Sequence, residues 1–335
     1  MRTTSRIAVL GGGRSSEHEV SLASAASVAA GLREAGHEVT AVTVGRDGVW
    51  RADGAEQLSF CPGRGWPGID VVFPALHGPF GEDGTVQGLL ELLDVAYVGA
   101  GVLGSAACMD KITFKELMAS AAVPQVDYRA VTARDWEADA DGALDAVSAL
   151  GLPVFVKPAR LGSSVGIGRV TEPAELHPAL MEAFRHDPLV IVEAGAPGIE
   201  VECSVLGNDE PIASAPGEIL LAAGESGWYD YEAKYTAGAM QLVVPARISD
   251  RARERVQELA IEAFIRSGCS GLARVDFFVD RDTVLVNELN TMPGFTETSV
   301  YAALFAHSGI PYPELLDRLV TFALERHERQ RAYMH

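Results

Sequence analysis

Lysine is scarce in this chain of 335 residues: Lys111, Lys115, Lys157 and Lys234 are the only four among 27 basic residues. Arginine is the default cation. A surviving lysine marks a place where a compact, strongly hydrated ammonium is wanted, as when phosphate is held by a point charge. Asparagine is as rare, occurring at Asn208, Asn287 and Asn290, and two of these fall within four residues. The four cysteines, Cys61, Cys108, Cys203 and Cys269, are widely scattered. Without a C-x-x-C pair they exclude a cysteine metal site or dithiol redox centre and read as reduced thiols. No Gly-Lys pair occurs, which excludes a Walker A phosphate loop. Gly11-Gly-Gly13 follows an apolar run, but Ser16 stands where a dinucleotide fingerprint needs its third glycine. Nothing approaches the roughly 20 uncharged apolar residues that span a bilayer, since Glu91 and Asp94 interrupt the best candidate. The apolar run Ile7 to Leu10 is too short for a secretory leader, so a cytoplasmic protein is expected. A formal net charge of -19 argues against nucleic acid or an anionic membrane as partner, because both require basic surface.

Hydrophobic residues make up 48% of the chain, enough for more than one core at this length. Arg6 to Gly11 reads as a buried strand entering a glycine turn, followed by a helix from about Glu19 to Ala35. Strands at Glu38 to Val44 and Val71 to Leu76 and a helix near Thr85 to Leu93 complete a doubly wound α/β domain, here bounded at residues 1–108. A second region, 109–190, carries a helix at Asp110 to Ser120, antiparallel strands at Val154 to Lys157 and Ile167 to Val170, and a helix near Pro173 to Arg185. The third, 191–335, is α+β, with strands at Val190 to Glu193, Val201 to Leu206, Gln241 to Val244, Leu272 to Asp280 and Thr283 to Asn290. Helices at Ser249 to Ser267 and Tyr312 to Arg326 cover it.

Four segments carry chemistry. Ser15 to Ser21 opens the first helix, where Glu17 and the exposed N-H groups either meet a ligand or cap the helix. Lys157 precedes the loop Arg160 to Gly166, which suits a flexible cover over phosphates or a plain hairpin with a solvated lysine. Arg274-Val-Asp276 and Glu288-Leu-Asn290 sit on adjacent strands. If residue 280 pairs with 284, Asp276 opposes Glu288 and Arg274 opposes Asn290, all on one face. Opposed carboxylates repel unless a cation joins them, and such hard oxygen donors suit Mg²⁺ carrying nucleotide phosphates. Finally, Gly227 to Tyr235 packs three tyrosines and a tryptophan around Lys234 without helical or strand period, as a lid over a water-sensitive intermediate requires.

Taken together, Glu17 to Ser21, His77 to Gly88, Met109 to Lys111, Lys157 to Gly166, Tyr229 to Tyr235 and Asn287 to Gly294 resemble the D-alanine–D-alanine ligase family of the ATP-grasp superfamily. The resemblance spans essentially the whole chain. It implies a three-domain ATP-grasp fold that joins two D-alanines through a D-alanyl phosphate for peptidoglycan precursors, using ATP with Mg²⁺ or Mn²⁺, as a homodimer. Lys111 and Lys157 would hold phosphates, Glu193 with the backbone of Ala194 and Ala196 the adenine, and Glu200 the ribose. Asp276, Glu288 and Asn290 would bind metal. Glu17, with His77 nearby, would take the first substrate's ammonium, while Arg274 and the Gly294 N-H stabilise the oxyanion. Ser299 and Lys234 would meet the second substrate's carboxylate, and Glu17, Ser163 and Tyr235 would pin the lid. The chain departs from the family after Gly294: Val300 follows Ser299 where a larger residue is usual, which opens the second substrate to alternatives such as a mixed dipeptide or a depsipeptide with D-lactate. A nucleotide-binding module without turnover would not need metal carboxylates, an oxyanion arginine and a lid together.

Overall fold

The computed structural model describes residues 4–53, 56–162, 165–221 and 240–333. Three sheets organise them. The first contains β1 (Arg6–Gly12), β2 (Glu38–Val44), β3 (Trp50–Ala52), β4 (Glu56–Gln57), β5 (Val71–Pro74) and β6 (Ala96–Tyr97), in the order β4-β3-β2-β1-β5-β6. Strands β2, β1, β5 and β6 are parallel, and β3 and β4 add an antiparallel edge. Strand β1 is a continuous apolar run because both its faces are covered. Ile7 and Val9 join a core with Val28 and Leu32 of the helix His18–Glu34, whereas Ala8 and Leu10 join another with Leu90 and Leu93 of the helix Thr85–Leu93. This is the expected doubly wound arrangement.

The second sheet holds β7 (Tyr128–Thr132), β8 (Val154–Pro158), β9 (Gly168–Val170) and β10 (Leu189–Ala194), antiparallel in the order β7-β10-β8-β9, so the strand expected at Val190 to Glu193 in the third region pairs within the second. The third holds β11 (Ile199–Gly207), β12 (Ile212–Ala213), β13 (Gly217–Leu221), β14 (Met240–Val243), β15 (Gly271–Asp280) and β16 (Thr283–Asn290), running β14-β13-β11-β15-β16 with β12 beside β11. The helix Asp250–Arg266 covers it through Val256, Leu259, Ala263 and Phe264, and Ser249 caps that helix by accepting from the Ala252 N-H at 3.1 Å.

Sequence periodicity overlooks the helix Val300–His307, whose residues are apolar on most sides and five of which are buried. Such a segment has no polar stripe to betray its period. The C-terminal helix, Tyr312–Arg331, runs longer than expected and returns to the N-terminal sheet. Leu315, Leu316, Leu319 and Val320 share one core with Ile7, Val9 and Phe73. Arg326 fastens this return: its guanidinium donates to the carbonyls of Tyr97 and Gly99 and to Ser270 Oγ, and lies 4.3 Å from the Tyr97 ring centroid.

Gly31 sets the approach of the first helix to the last. A Cβ there would stand 2.5 Å from Leu316 Cδ1 and 2.9 Å from Tyr312 Cε1. The tyrosine cannot yield easily, since its hydroxyl donates to the Phe295 carbonyl at 2.8 Å and lies 3.1 Å from Ser27 Oγ. Gly31→Ala gains up to about 1 kcal/mol of helix propensity, but overpacking costs about 1 to 3 kcal/mol. Urea unfolding should therefore show a less stable variant, and an unchanged or higher midpoint would contradict this packing.

Candidate active site

A cavity of about 840 Å³ opens where the three sheets meet. Its walls carry Glu17, His77, Lys111, Lys157, Glu193, Ala194, Ala196, Glu200, Arg274, Glu288, Asn290, Gly294, Ser299 and Val300, each of them a residue singled out above. Asp276 stands behind this surface, held by Arg274. Ser163, Lys234 and Tyr235 lie outside the described residues.

The lysine side of the cavity is built on two strands and one helix. Lys111 starts the helix Lys111–Ser120, whose N-cap Asp110 accepts from the N-H groups of Ile112 and Thr113. Its ammonium donates to the Leu161 carbonyl at 2.8 Å and lies 3.8 Å from Glu288 Oε2. Strand β10 places Glu193 diagonally across from Lys157 of β8, with Lys157 Nζ 2.5 Å from Glu193 Oε2. Lys115 approaches Glu193 Oε1 to 2.8 Å from the other side and is wholly buried. Burial alone would raise the Glu193 pKa, but the two ammonium groups outweigh it and hold the carboxylate at about 2. Glu193 is therefore a fixed acceptor. Burial also opposes the charge on Lys157, yet Glu193, Glu288 and Glu200 raise its pKa above the ordinary lysine value. Lys115 was missed as part of this set, although its spacing of four from Lys111 puts both on one helix face. The Ala194 N-H already donates to the Asp127 carbonyl at 2.9 Å, so a base held at this edge would meet other atoms.

The acidic side follows from the β15–β16 hairpin. Asp276 opposes Glu288 and Arg274 opposes Asn290, as the alternation demands, but by a different register from the expected one. Asp280 pairs with Thr283 rather than residue 284, and a bulge past Phe277 takes up Asn287 and restores the pairing. Two deviations cancel. Arg274 donates from Nε to Asp276 Oδ1 and from Nη2 to Oδ2, both at 2.7 Å, and Asn290 Nδ2 donates to Oδ2 at 3.1 Å. Glu202 Oε2, on β11, lies 2.8 Å from Arg274 Nε and was not anticipated, although it alternates with Glu200 on one strand face. With its amide nitrogen turned to Asp276, Asn290 keeps its oxygen as an acceptor. Asp276, Glu288 and Asn290 thus offer hard oxygens that fit Mg²⁺ or Mn²⁺. No cluster of three or more His, Cys, Asp or Glu poised for metal occurs among the described residues. A cation here would complete its shell with phosphate oxygens and water, as Mg²⁺ commonly does.

The third wall comes from the N-terminal sheet. His77 Nδ1 lies 3.0 Å from the Met292 carbonyl and Nε2 lies 2.8 Å from Ser24 Oγ. The carbonyl can only accept, which places the ring proton on Nδ1. Burial lowers the His77 pKa, against the opposing pull of Glu17, and favours the neutral ring. Glu82, also missed from sequence, accepts from the N-H groups of Gly78 at 2.7 Å and Met292 at 3.2 Å. Burial first, and then the Glu17 charge, push its pKa up to about 8. Both backbone groups of Met292 are thus held by one loop, fixing the segment that leads to Gly294. Gly78 permits this closeness, since a Cβ there would sit 2.6 Å from Glu17 Oε2. Ser299 is the N-cap of the helix Val300–His307, and its Oγ accepts from the Thr296 N-H at 3.0 Å. Val300 is packed with Ile219 and Leu304, flanked by Met240, Leu242 and Val244.

Known proteins resemble this chain in sequence and fold. Residues 6–64 and 63–100 match the family described as D-ala D-ala ligase N-terminus, and residues 117–321 match D-ala D-ala ligase C-terminus. A D-alanine–D-alanine ligase of Deinococcus radiodurans is 47% identical, covering 96% of this chain and 98% of the relative. One from Geobacillus kaustophilus is 43% identical over 97% of this chain and 96% of its own length. Among solved structures, the D-alanine–D-alanine ligase of Coxiella burnetii superposes with a TM-score of 0.88 at 35% identity, covering 98% of this chain and 96% of that one. The VanG D-Ala:D-Ser ligase of Enterococcus faecalis superposes at 0.85 with 36% identity, over 96% of this chain and 100% of that one. Matched in both halves and similar to these ligases over nearly its full length, the chain belongs to the D-alanine–D-alanine ligase family.

Proposed function

We propose that the protein ligates two molecules of D-alanine to D-alanyl-D-alanine at the expense of ATP, in the cytoplasm, for peptidoglycan precursor synthesis, and that it acts as a homodimer. The observation that carries this reading is the convergence of Lys111, Lys157 and Glu193 with Arg274, Glu288, Asn290 and Glu17 on one cavity. No helix among the described residues is long and apolar enough to cross a membrane.

In this reading ATP lies between the second and third sheets. Glu193, kept ionised, accepts from the adenine amino group; Ala194 and Ala196 border the base, and Glu200 takes the ribose hydroxyls. Lys111 and Lys157 hold the phosphates. Asp276, Glu288 and Asn290 would hold Mg²⁺ or Mn²⁺, which would neutralise charge developing on the transferred phosphoryl group. Glu17 pairs with the ammonium of the first D-alanine, with His77 neutral beside it, so that the substrate carboxylate faces the γ-phosphate. Attack gives D-alanyl phosphate and ADP. The amine of the second D-alanine then attacks the acyl carbon and expels phosphate. Arg274 and the Gly294 N-H stabilise the oxyanion of that step, the N-H being placed by the loop that His77 and Glu82 hold. Ser299, at a helix N-terminus, suits the second substrate's carboxylate. By resemblance to the family, Lys234 would also meet that carboxylate, and Ser163 and Tyr235 would pin the lid with Glu17.

Release of ADP and phosphate should depend on D-alanine, and D-lactate should not replace it as second substrate. Turnover that is indifferent to D-alanine would overturn the ligase reading in favour of a simple ATPase.

Val300 supports a broader second substrate, as does the likeness to a D-Ala:D-Ser ligase. The valine leaves about one methylene of room, and a methylene changes specificity by about 1 to 3 kcal/mol. Slightly larger acids such as D-serine or D-2-aminobutyrate should therefore enter in a graded way, with D-alanine still accepted. Val300→Leu should shift the kcat/KM ratio back toward D-alanine. Identical ratios in the two proteins would show that Ile219, Leu304 and their neighbours refill the space.

A further inference from the structure

Three neighbouring strands bring three carboxylates to one level of the third sheet. Glu202 of β11 opposes Asp276 of β15, which opposes Glu288 of β16. One row along, Ser204, Arg274 and Asn290 oppose one another in the same way. Arg274 reaches between the rows: its Nε and Nη2 donate to Asp276, and its Nε lies 2.8 Å from Glu202 Oε2 as an ion pair, so the guanidinium faces carboxylates from two strands. Glu202 is 4% exposed and is not among the residues that line the cavity.

Resting on the reading of Arg274 as the oxyanion group, this arrangement has a consequence for Asp276. That carboxylate is asked both to hold the guanidinium and to share a divalent cation with Glu288. A cation drawn to Asp276 disperses its negative charge and repels Arg274, loosening the bidentate pair at the moment the arginine must be aimed. A guanidinium misplaced by about an ångström loses much of its effect. Glu202 grips the same guanidinium from the strand on the far side of Asp276 from Glu288.

We propose that Glu202 is the positioning residue that keeps the Arg274 guanidinium directed into the cavity once Asp276 is shared with the cation. The competing view is an ion pair that only ties β11 to β15. Buried ion pairs are often neutral for stability compared with apolar replacements, so strand pairing alone gives little reason to bury a carboxylate here.

Glu202→Gln keeps the size and removes the charge. Its kcat should fall about tenfold to a hundredfold, less than the roughly hundredfold to thousandfold lost when an oxyanion donor is deleted. The KM for D-alanine should stay within about twofold, since Glu202 lies outside the cavity lining. In the same variant Arg274 bears on Asp276 alone, so Mn²⁺ titrated into the enzyme–ADP complex and followed by electron paramagnetic resonance should bind about tenfold more weakly. Glu202→Asp retains the charge, covers the case in which the glutamine variant does not fold, and should lie between the two. A lower Tm with wild-type kcat and Mn²⁺ affinity in the folded variants would make Glu202 merely structural. Arg274→Met separates the two readings. If that variant keeps wild-type kcat, the oxyanion assignment fails; if it loses kcat while both Glu202 variants keep theirs, only the role of Glu202 fails.

Discussion

The charge row on the third sheet is the constraint on which the rest of the site depends. Antiparallel pairing forces Glu202, Asp276 and Glu288 into register on adjacent strands, where like charges oppose sheet formation. Arg274 answers the first two, and Lys111 at 3.8 Å partly answers the third. Among the described residues the row carries more negative than positive charge. In the proposed function, a divalent cation bound with nucleotide phosphate would offset that negative charge. The lysine side is the mirror case: Lys115 and Lys157 flank Glu193, and Glu288 and Glu200 also favour the charge on Lys157.

These two systems work together because the N-terminal sheet closes the space between them. His77 and Glu82 hold both backbone groups of Met292, and the segment onward to Gly294 is thereby registered against Glu17. The C-terminal helix fixes the same relation from outside, sharing the core of β1 and β5 and anchoring Arg326 on the carbonyls of Tyr97 and Gly99. A chain that crosses back in this way ties the N-terminal wall of the cavity to the third sheet.

Much of this was legible from residues alone, and the exceptions have physical reasons. Period-two alternation around Arg274, Asp276, Glu288 and Asn290 gave the right neighbours even though the turn was misread, because the Asn287 bulge compensated for the one-residue slip. Lysine scarcity pointed to Lys111 and Lys157. It could not say that Lys115 is a buried counter-ion rather than a ligand group, since burial is a property of the assembled helix. Glu82 and Glu202 stayed hidden because their partners, Met292 and Arg274, lie 210 and 72 positions away. The helix Val300–His307 lacked a polar face, and the placement of the C-terminal helix against the first sheet is a long-range choice that no local pattern records.

The proposed chemistry requires a carboxylate to be phosphorylated in this cavity and its acyl carbon then attacked by an amine beside Arg274. Oxygen tracing tests that chemistry most directly. With D-alanine carrying ¹⁸O in its carboxylate, one labelled oxygen should appear in the inorganic phosphate and one should remain in the peptide carbonyl, because the acyl oxygen that attacks phosphorus leaves with it. Label appearing in AMP, or phosphate free of label while dipeptide forms, would contradict an acyl-phosphate route and with it the roles given to both charged walls.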